Sequence, residues 1–140
     1  MSRLGRRLAF DYGDVRIGVA VCDPDGILAT PLEFLATKNP SLKSSIQSLC
    51  VEYEPKKIYV GLPLNLSGEH SESTVKARAF ADFLSTFATC PVELIDERLT
   101  TSSASSSLSQ AGVSAKDQRK MIDSQSAVII LESGLARDRE

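Results

Sequence analysis

Two short apolar runs near the start of the chain limit its fold most. Leu8-Ala9-Phe10-Asp11-Tyr12 and Ile17-Gly18-Val19-Ala20-Val21-Cys22 are separated only by Gly13-Asp14-Val15-Arg16. Runs of this length, rich in β-branched and apolar residues and divided by a turn, predict a hairpin of buried strands. Asp23-Pro24-Asp25-Gly26 is a second turn signal. Residues 27–35 then read as a third strand, and Pro31 inside it points to a sheet edge.

Beyond residue 38 the periodicity changes. Asn39-Pro40 is a helix N-cap followed by proline at the first helical position. Leu42, Ile46, Leu49, Cys50 and Tyr53 follow at helical spacing, and Pro55 ends the segment. Residues 57–62 read as a strand and 63–70 as a loop. Residues 71–87 read as a helix whose inner stripe is Val75, Ala79, Phe83 and Phe87, with Phe80 and Leu84 beside it. Ser71 is a fair N-cap there, but Thr74 does not complete the usual capping box. A strand at 91–96 follows, then helices near 100–110 and 115–136, broken at Gly112. The serine-biased segment 102–109 reads as a linker or a weak helix. A strand hairpin followed by alternating helices and strands predicts an α/β fold with a mixed central β-sheet flanked by α-helices, as one domain over residues 1–140.

Composition narrows the chemistry. Cys22, Cys50 and Cys90 are widely spaced, and His70 is the one histidine in 140 residues. That spread argues against a disulfide framework, a Cys or His zinc site and Ser-His-Asp or Cys-His catalysis. A catalytic metal in this chain has to be held by carboxylates, which suits magnesium or manganese. The formal charge of −2 argues against a protein that coats nucleic acid through a basic surface. Three N-terminal arginines before Leu8-Ala9-Phe10 faintly imitate a signal peptide, but Asp11 cuts the apolar stretch too short. No segment is long enough to span a membrane, so a cytoplasmic protein is expected.

Three acids stand out of pattern. Asp11 closes a strand that looks buried on both faces, where an unpaired charge is costly. Glu97 follows the strand at 91–96, and acids at strand carboxyl ends often line ligand sites in α/β folds. Asp123 shares a helical stripe with Ala127, Ile130 and Leu131. Each also has a structural reading, as a turn cap, a solvent-facing acid or a partner of Arg119 or Lys120. Together they suggest carboxylates gathered at one end of a sheet, a cluster that repels itself unless a cation joins it. Two divalent ions roughly 4 Å apart would suit in-line displacement at a phosphodiester.

These residues carry a resemblance. Leu8 to Gly13 with Arg16-Ile17-Gly18-Val19-Ala20 resembles the opening strand pair of the YqgF/RuvX family. Val60-Gly61-Leu62-Pro63-Leu64, with Asn65 and Gly68, resembles its central strand and loop. Asp96-Glu97-Arg98-Leu99-Thr100-Thr101 resembles its third motif, and Lys120 through Asp123 with Ser126 to Leu131 its last. The resemblance implies a ribonuclease H-like fold and a nuclease that processes the 5′ end of precursor 16S rRNA. An alternative function it carries is Holliday junction resolvase. It further implies that Asp11, Glu97 and Asp123 form the catalytic, metal-binding triad.

Arg16 and Arg98 beside these acids suit phosphate contact, or else order the acids as ion pairs. Asn65 and Ser67 could touch a nucleic-acid backbone. Lys116, Arg119 and Lys120 form a basic cluster that is either a phosphate track or a solvated face. The expected partner is nucleic acid, structured RNA ahead of junction DNA, with Mg2+ or Mn2+ as cofactor. A homodimer is expected if paired junction cuts are made. An actin-like ATP-binding protein and a non-catalytic binding module are the remaining readings. The first needs a second subdomain, and the second has no need of clustered acids.

Overall fold

The computed structural model describes residues 5–63, 71–97 and 124–139. Five strands, β1 (Arg7–Asp11), β2 (Arg16–Cys22), β3 (Ala29–Ala36), β4 (Lys57–Leu62) and β5 (Val92–Asp96), form one sheet in the order β3-β2-β1-β4-β5. β1 pairs antiparallel with β2 and parallel with β4, and β4 pairs parallel with β5. Three helices are described, α1 (Leu42–Tyr53), α2 (Glu72–Ser85) and α3 (Gln125–Arg139). The mixed α/β sheet, its hairpin and its edge strand β3 agree with the sequence reading.

Side-chain alternation divides the core. Leu8, Phe10, Ile58 and Val60 face α1 and α2, together with Ile46, Phe80 and Leu84. Ala9, Ala20 and Tyr59 face α3, with Ala127, Ile130, Leu131 and Leu135. Ala9 and Ala20 on the sheet and Ala127 and Gly134 on the helix are small, so α3 lies close to the strands. Gly134 is in contact with the Tyr59 ring, where a Cβ would come within 2.6 Å of it.

The details correct the sequence reading in five places. β3 starts at Ala29, not 27, because the Asp23 carboxylate accepts the backbone N–H groups of Ile27 and Leu28, each at 2.7 Å, and holds both residues in an exposed loop. α1 starts at Leu42, with Ser41 as N-cap; Asn39 instead closes a turn by accepting the Ser41 N–H. α2 runs over Glu72–Ser85 and does carry a capping box, since the Thr74 hydroxyl accepts the Ser71 N–H at 3.0 Å. Its buried residues are Thr74, Ala77, Phe80, Ala81 and Leu84, while Val75 is exposed. The aromatic residues Phe83 and Phe87 are half-buried and stack along its flank. α3 extends past Ala136 to Arg139. The two helices expected near 100–110 and at the start of 115–136 lie outside the described residues.

One serine ties α3 to the sheet. Between Ile17 and Val19 the β2–β3 register slips, with Ile17 opposite Leu35 and Val19 opposite Leu32. This bulge takes Val19 N–H out of the ladder. Ser124, fully buried, accepts that N–H at 3.0 Å and donates to the Leu32 carbonyl at 2.6 Å. Ser124→Ala leaves both backbone groups buried without this partner, so we expect it to destabilise the fold by about 2 kcal/mol in urea titration. A loss within about 0.3 kcal/mol would show that the bridge contributes nothing.

Candidate active site

The parallel strands β1, β4 and β5 all end at one edge of the sheet, and β2 begins there. Asp11 closes β1, and Glu97 follows Asp96 at the end of β5. Both carry the alternation of the α3 side. β4 lies between them, so their backbones are about 10 Å apart, two strand spacings. The Glu97 side chain reaches back over β4, its Oε2 within 3.0 Å of where a Cβ on Gly61 would stand. The Glu97 carboxyl is raised to about 7 by burial, then by the negative charges of Asp11 and Asp96. Burial also raises the Asp11 carboxyl, and a hydrogen bond from the Ser126 hydroxyl at the start of α3 offsets part of that rise.

Two half-buried acids, one of which raises the carboxyl of the other, make a site at which a cation would be favourable. Its donors are all oxygen, as a hard divalent cation requires. Among the described residues no three His, Cys, Asp or Glu side chains converge. The third expected ligand, Asp123, lies outside the described residues, as do Asn65, Ser67, His70, Arg98 and the basic cluster at Lys116, Arg119 and Lys120. The residues present fit a divalent ion, which Asp11 and Glu97 would help to hold.

Arg16 opens β2 at the same edge. Its guanidinium lies 5.2 Å from the Phe34 ring centroid on the edge strand β3. The structure places Asp11 and Glu97 at one edge of the sheet, near enough for the Asp11 charge to raise Glu97, and Arg16 at the same edge against Phe34.

The sequence reading missed two residues of this site. An isolated glycine inside a buried strand signals a close approach, and Gly61 carried that signal. Ser126 carried none, because a serine in the first turn of a helix is ordinary. The thiols take no part: Cys22 is buried, Cys50 and Cys90 are half-buried, and burial raises all three.

A mixed five-stranded sheet in this order, with Asp11 and Glu97 at the carboxyl ends of parallel strands, defines the class by its architecture: a ribonuclease H-like fold. The fold matches that of solved structures. Thermus thermophilus RuvC in complex with a Holliday junction substrate aligns with a TM-score of 0.57 at 15% identity, covering 96% of each chain. A second Thermus thermophilus RuvC structure aligns at 0.50 and 14% identity, again over 96% of each chain.

The family model "RuvX: Holliday junction resolvase" matches residues 5–137, and the chain belongs to that family. A Streptomyces avermitilis protein named "Putative pre-16S rRNA nuclease" is 49% identical over 98% of this chain and 89% of its own length. A Streptomyces coelicolor protein of the same name is 48% identical over 98% of this chain and 83% of its own.

Proposed function

We propose that this chain is a divalent-metal-dependent nuclease, one ribonuclease H-like domain that trims the 5′ end of precursor 16S rRNA in the cytoplasm. The observation that carries this reading is the approach of Asp11 and Glu97 from strands on either side of β4. The name shared by relatives at close to half identity supports the substrate.

In this reading Asp11, Glu97 and Asp123 hold Mg2+ or Mn2+. When bound, the metal supplies Lewis acidity at the scissile phosphodiester. The chain's own groups do the positioning. Asp11 and Glu97 present their carboxylates from rigid strand ends, and Ser126 orients Asp11 by donating a hydrogen bond. Arg16, Asn65 and Arg98 contact the phosphate backbone. Water adds to phosphorus and the P–O bond breaks, leaving one phosphate end and one hydroxyl end.

Membership of the RuvX Holliday junction resolvase family favours a second reading, resolution of four-way DNA junctions. Paired cuts at a junction need a two-fold dimer, whereas trimming an RNA end does not. The deciding experiment incubates the protein with precursor 16S rRNA and with a four-way junction, each with Mg2+ or Mn2+, beside an Asp11→Asn control. Cleavage of the RNA that the variant lacks supports the first reading. Paired junction cuts by a dimer, with the RNA intact, replace it with the second.

A further inference from the structure

Gly61 sits in β4, the strand between the two acids. In register it lies opposite Ile95 of β5, and its neighbour Val60 lies opposite Phe10, the residue before Asp11. Glu97 stands two residues beyond Ile95, so its side chain reaches back across β4 to lie over Gly61, beside the end of β1. A Cβ built on Gly61 would stand 3.0 Å from Glu97 Oε2 and 3.1 Å from its Cδ, and would overlap Ile130 Cδ1 of α3. Any side chain at position 61 would thus meet the carboxylate of the acid and the helix that closes the site. The flanking strand residues are buried, so the Glu97 carboxylate has the bare Gly61 backbone to lie across.

We infer that Gly61 is a positioning residue: its missing side chain is the platform that lets Glu97 reach over β4 and share a cation with Asp11. This rests on the metal-dependent reading of the site. Gly61 donates nothing to the metal and touches no substrate. It acts through Glu97, by keeping open the space that the carboxylate occupies. Ligand geometry held by neighbours of this kind commonly accounts for about ten- to a hundredfold in metal affinity.

The simple variant Gly61→Ala combines two effects, the collision with Ile130 and the collision with Glu97. Ile130→Val separates them, because it removes the Cδ1 methyl and leaves the acid in place. The test measures Mn2+ binding by electron paramagnetic resonance, and metal-free melting temperature, for wild type, Asp11→Asn, Ile130→Val, Gly61→Ala and the double variant Gly61→Ala/Ile130→Val. We expect wild type and Ile130→Val to bind Mn2+ alike. The double variant should melt close to Ile130→Val yet bind Mn2+ about tenfold more weakly. Wild-type affinity in Gly61→Ala or in the double variant overturns the inference, because Gly61 would then matter for packing against α3 alone. If Mn2+ binding in wild type is unaffected by Asp11→Asn, the metal reading of the site fails instead, a result distinct from the first.

Discussion

Asp11→Asn is expected to lower metal-dependent cleavage by about a thousandfold while leaving the fold intact. The substitution keeps the shape of the side chain and removes the carboxylate at the end of β1. Metal-held stabilisation of a phosphoryl transition state amounts to several kcal/mol, and each 1.36 kcal/mol is a factor of ten in rate. A variant that cleaves at the wild-type rate would remove Asp11 from the mechanism.

The same pair predicts an unusual pH dependence in the metal-free protein. Burial and the neighbouring acids raise the Glu97 carboxyl from 4.5 to about 7, and burial raises Asp11 in the same direction. The folded state therefore holds these protons more tightly than the unfolded chain. The contribution to stability is complete below the ordinary carboxylate range and is lost as pH rises from about 4.5 through 7. In melting experiments with chelator, Glu97→Gln should flatten this decline, and Asp11→Asn should reduce it. Mn2+ added to the wild-type protein should recover the lost stability at pH 7, since a ligand that binds only the folded state stabilises it. A metal-free melting temperature with the same pH slope in wild type and Glu97→Gln would contradict the geometry.

The second large effect lies at the opposite end of the sheet. Asp138, near the end of α3, accepts from Arg7 at 2.6 Å, from the Tyr59 hydroxyl at 2.6 Å and from Lys57 at 2.9 Å. Arg137 joins the group by pairing with Glu93 and with Asp138. Arg7 is only 8% exposed, so its charge depends on these partners. Burial alone would raise the Asp138 carboxyl, but hydrogen bonds from Tyr59, Lys57 and Arg137 hold it well below the usual carboxylate range. Asp138→Ala removes the carboxylate shared by Arg7, Tyr59 and Lys57, which is expected to cost about 3 kcal/mol in urea titration.

The sign of the acid dependence follows from the lowered carboxyl. Its stabilisation is present above the ordinary Asp range and is lost as pH falls below about 4. The variant should therefore lose less stability on acidification than the wild type does. Cleavage per folded molecule should be unchanged, because Arg7 and Lys57 begin the strands whose far ends carry the site. A change in cleavage with unchanged stability would place this cluster in the catalytic machinery.

Much of the fold can be read from local pattern. β1, β2 and β4 were expected within a residue of where they lie, because a buried strand is a short apolar run and little else competes for it. Errors arose where a polar side chain decided the outcome. Asp23 captured the N–H groups of Ile27 and Leu28, and Thr74 took the capping role usually filled by Glu or Gln. The inner stripe of α2 was misjudged because Val75 and Ala79 share the helical period of Phe83. The face that meets the sheet is set by Thr74, Ala77, Ala81 and Leu84, which fit closer to it. No helical period distinguishes the two.

The site divides in the same way. The sequence by itself narrowed the kind of chemistry: one histidine and three scattered cysteines leave carboxylates as the groups that could hold a metal, and Asp11 and Glu97 stand where apolar strands end. Only the tertiary structure decided that these two acids come near each other, that Glu97 lies over Gly61 and that Ser126 reaches Asp11. The reason is physical. Their approach depends on β4 inserting between β1 and β5 in parallel register, and on α3 packing across all three strands. Those pairings join residues dozens of positions apart, so they are set by packing of the whole core and leave no mark in any local stretch of chain.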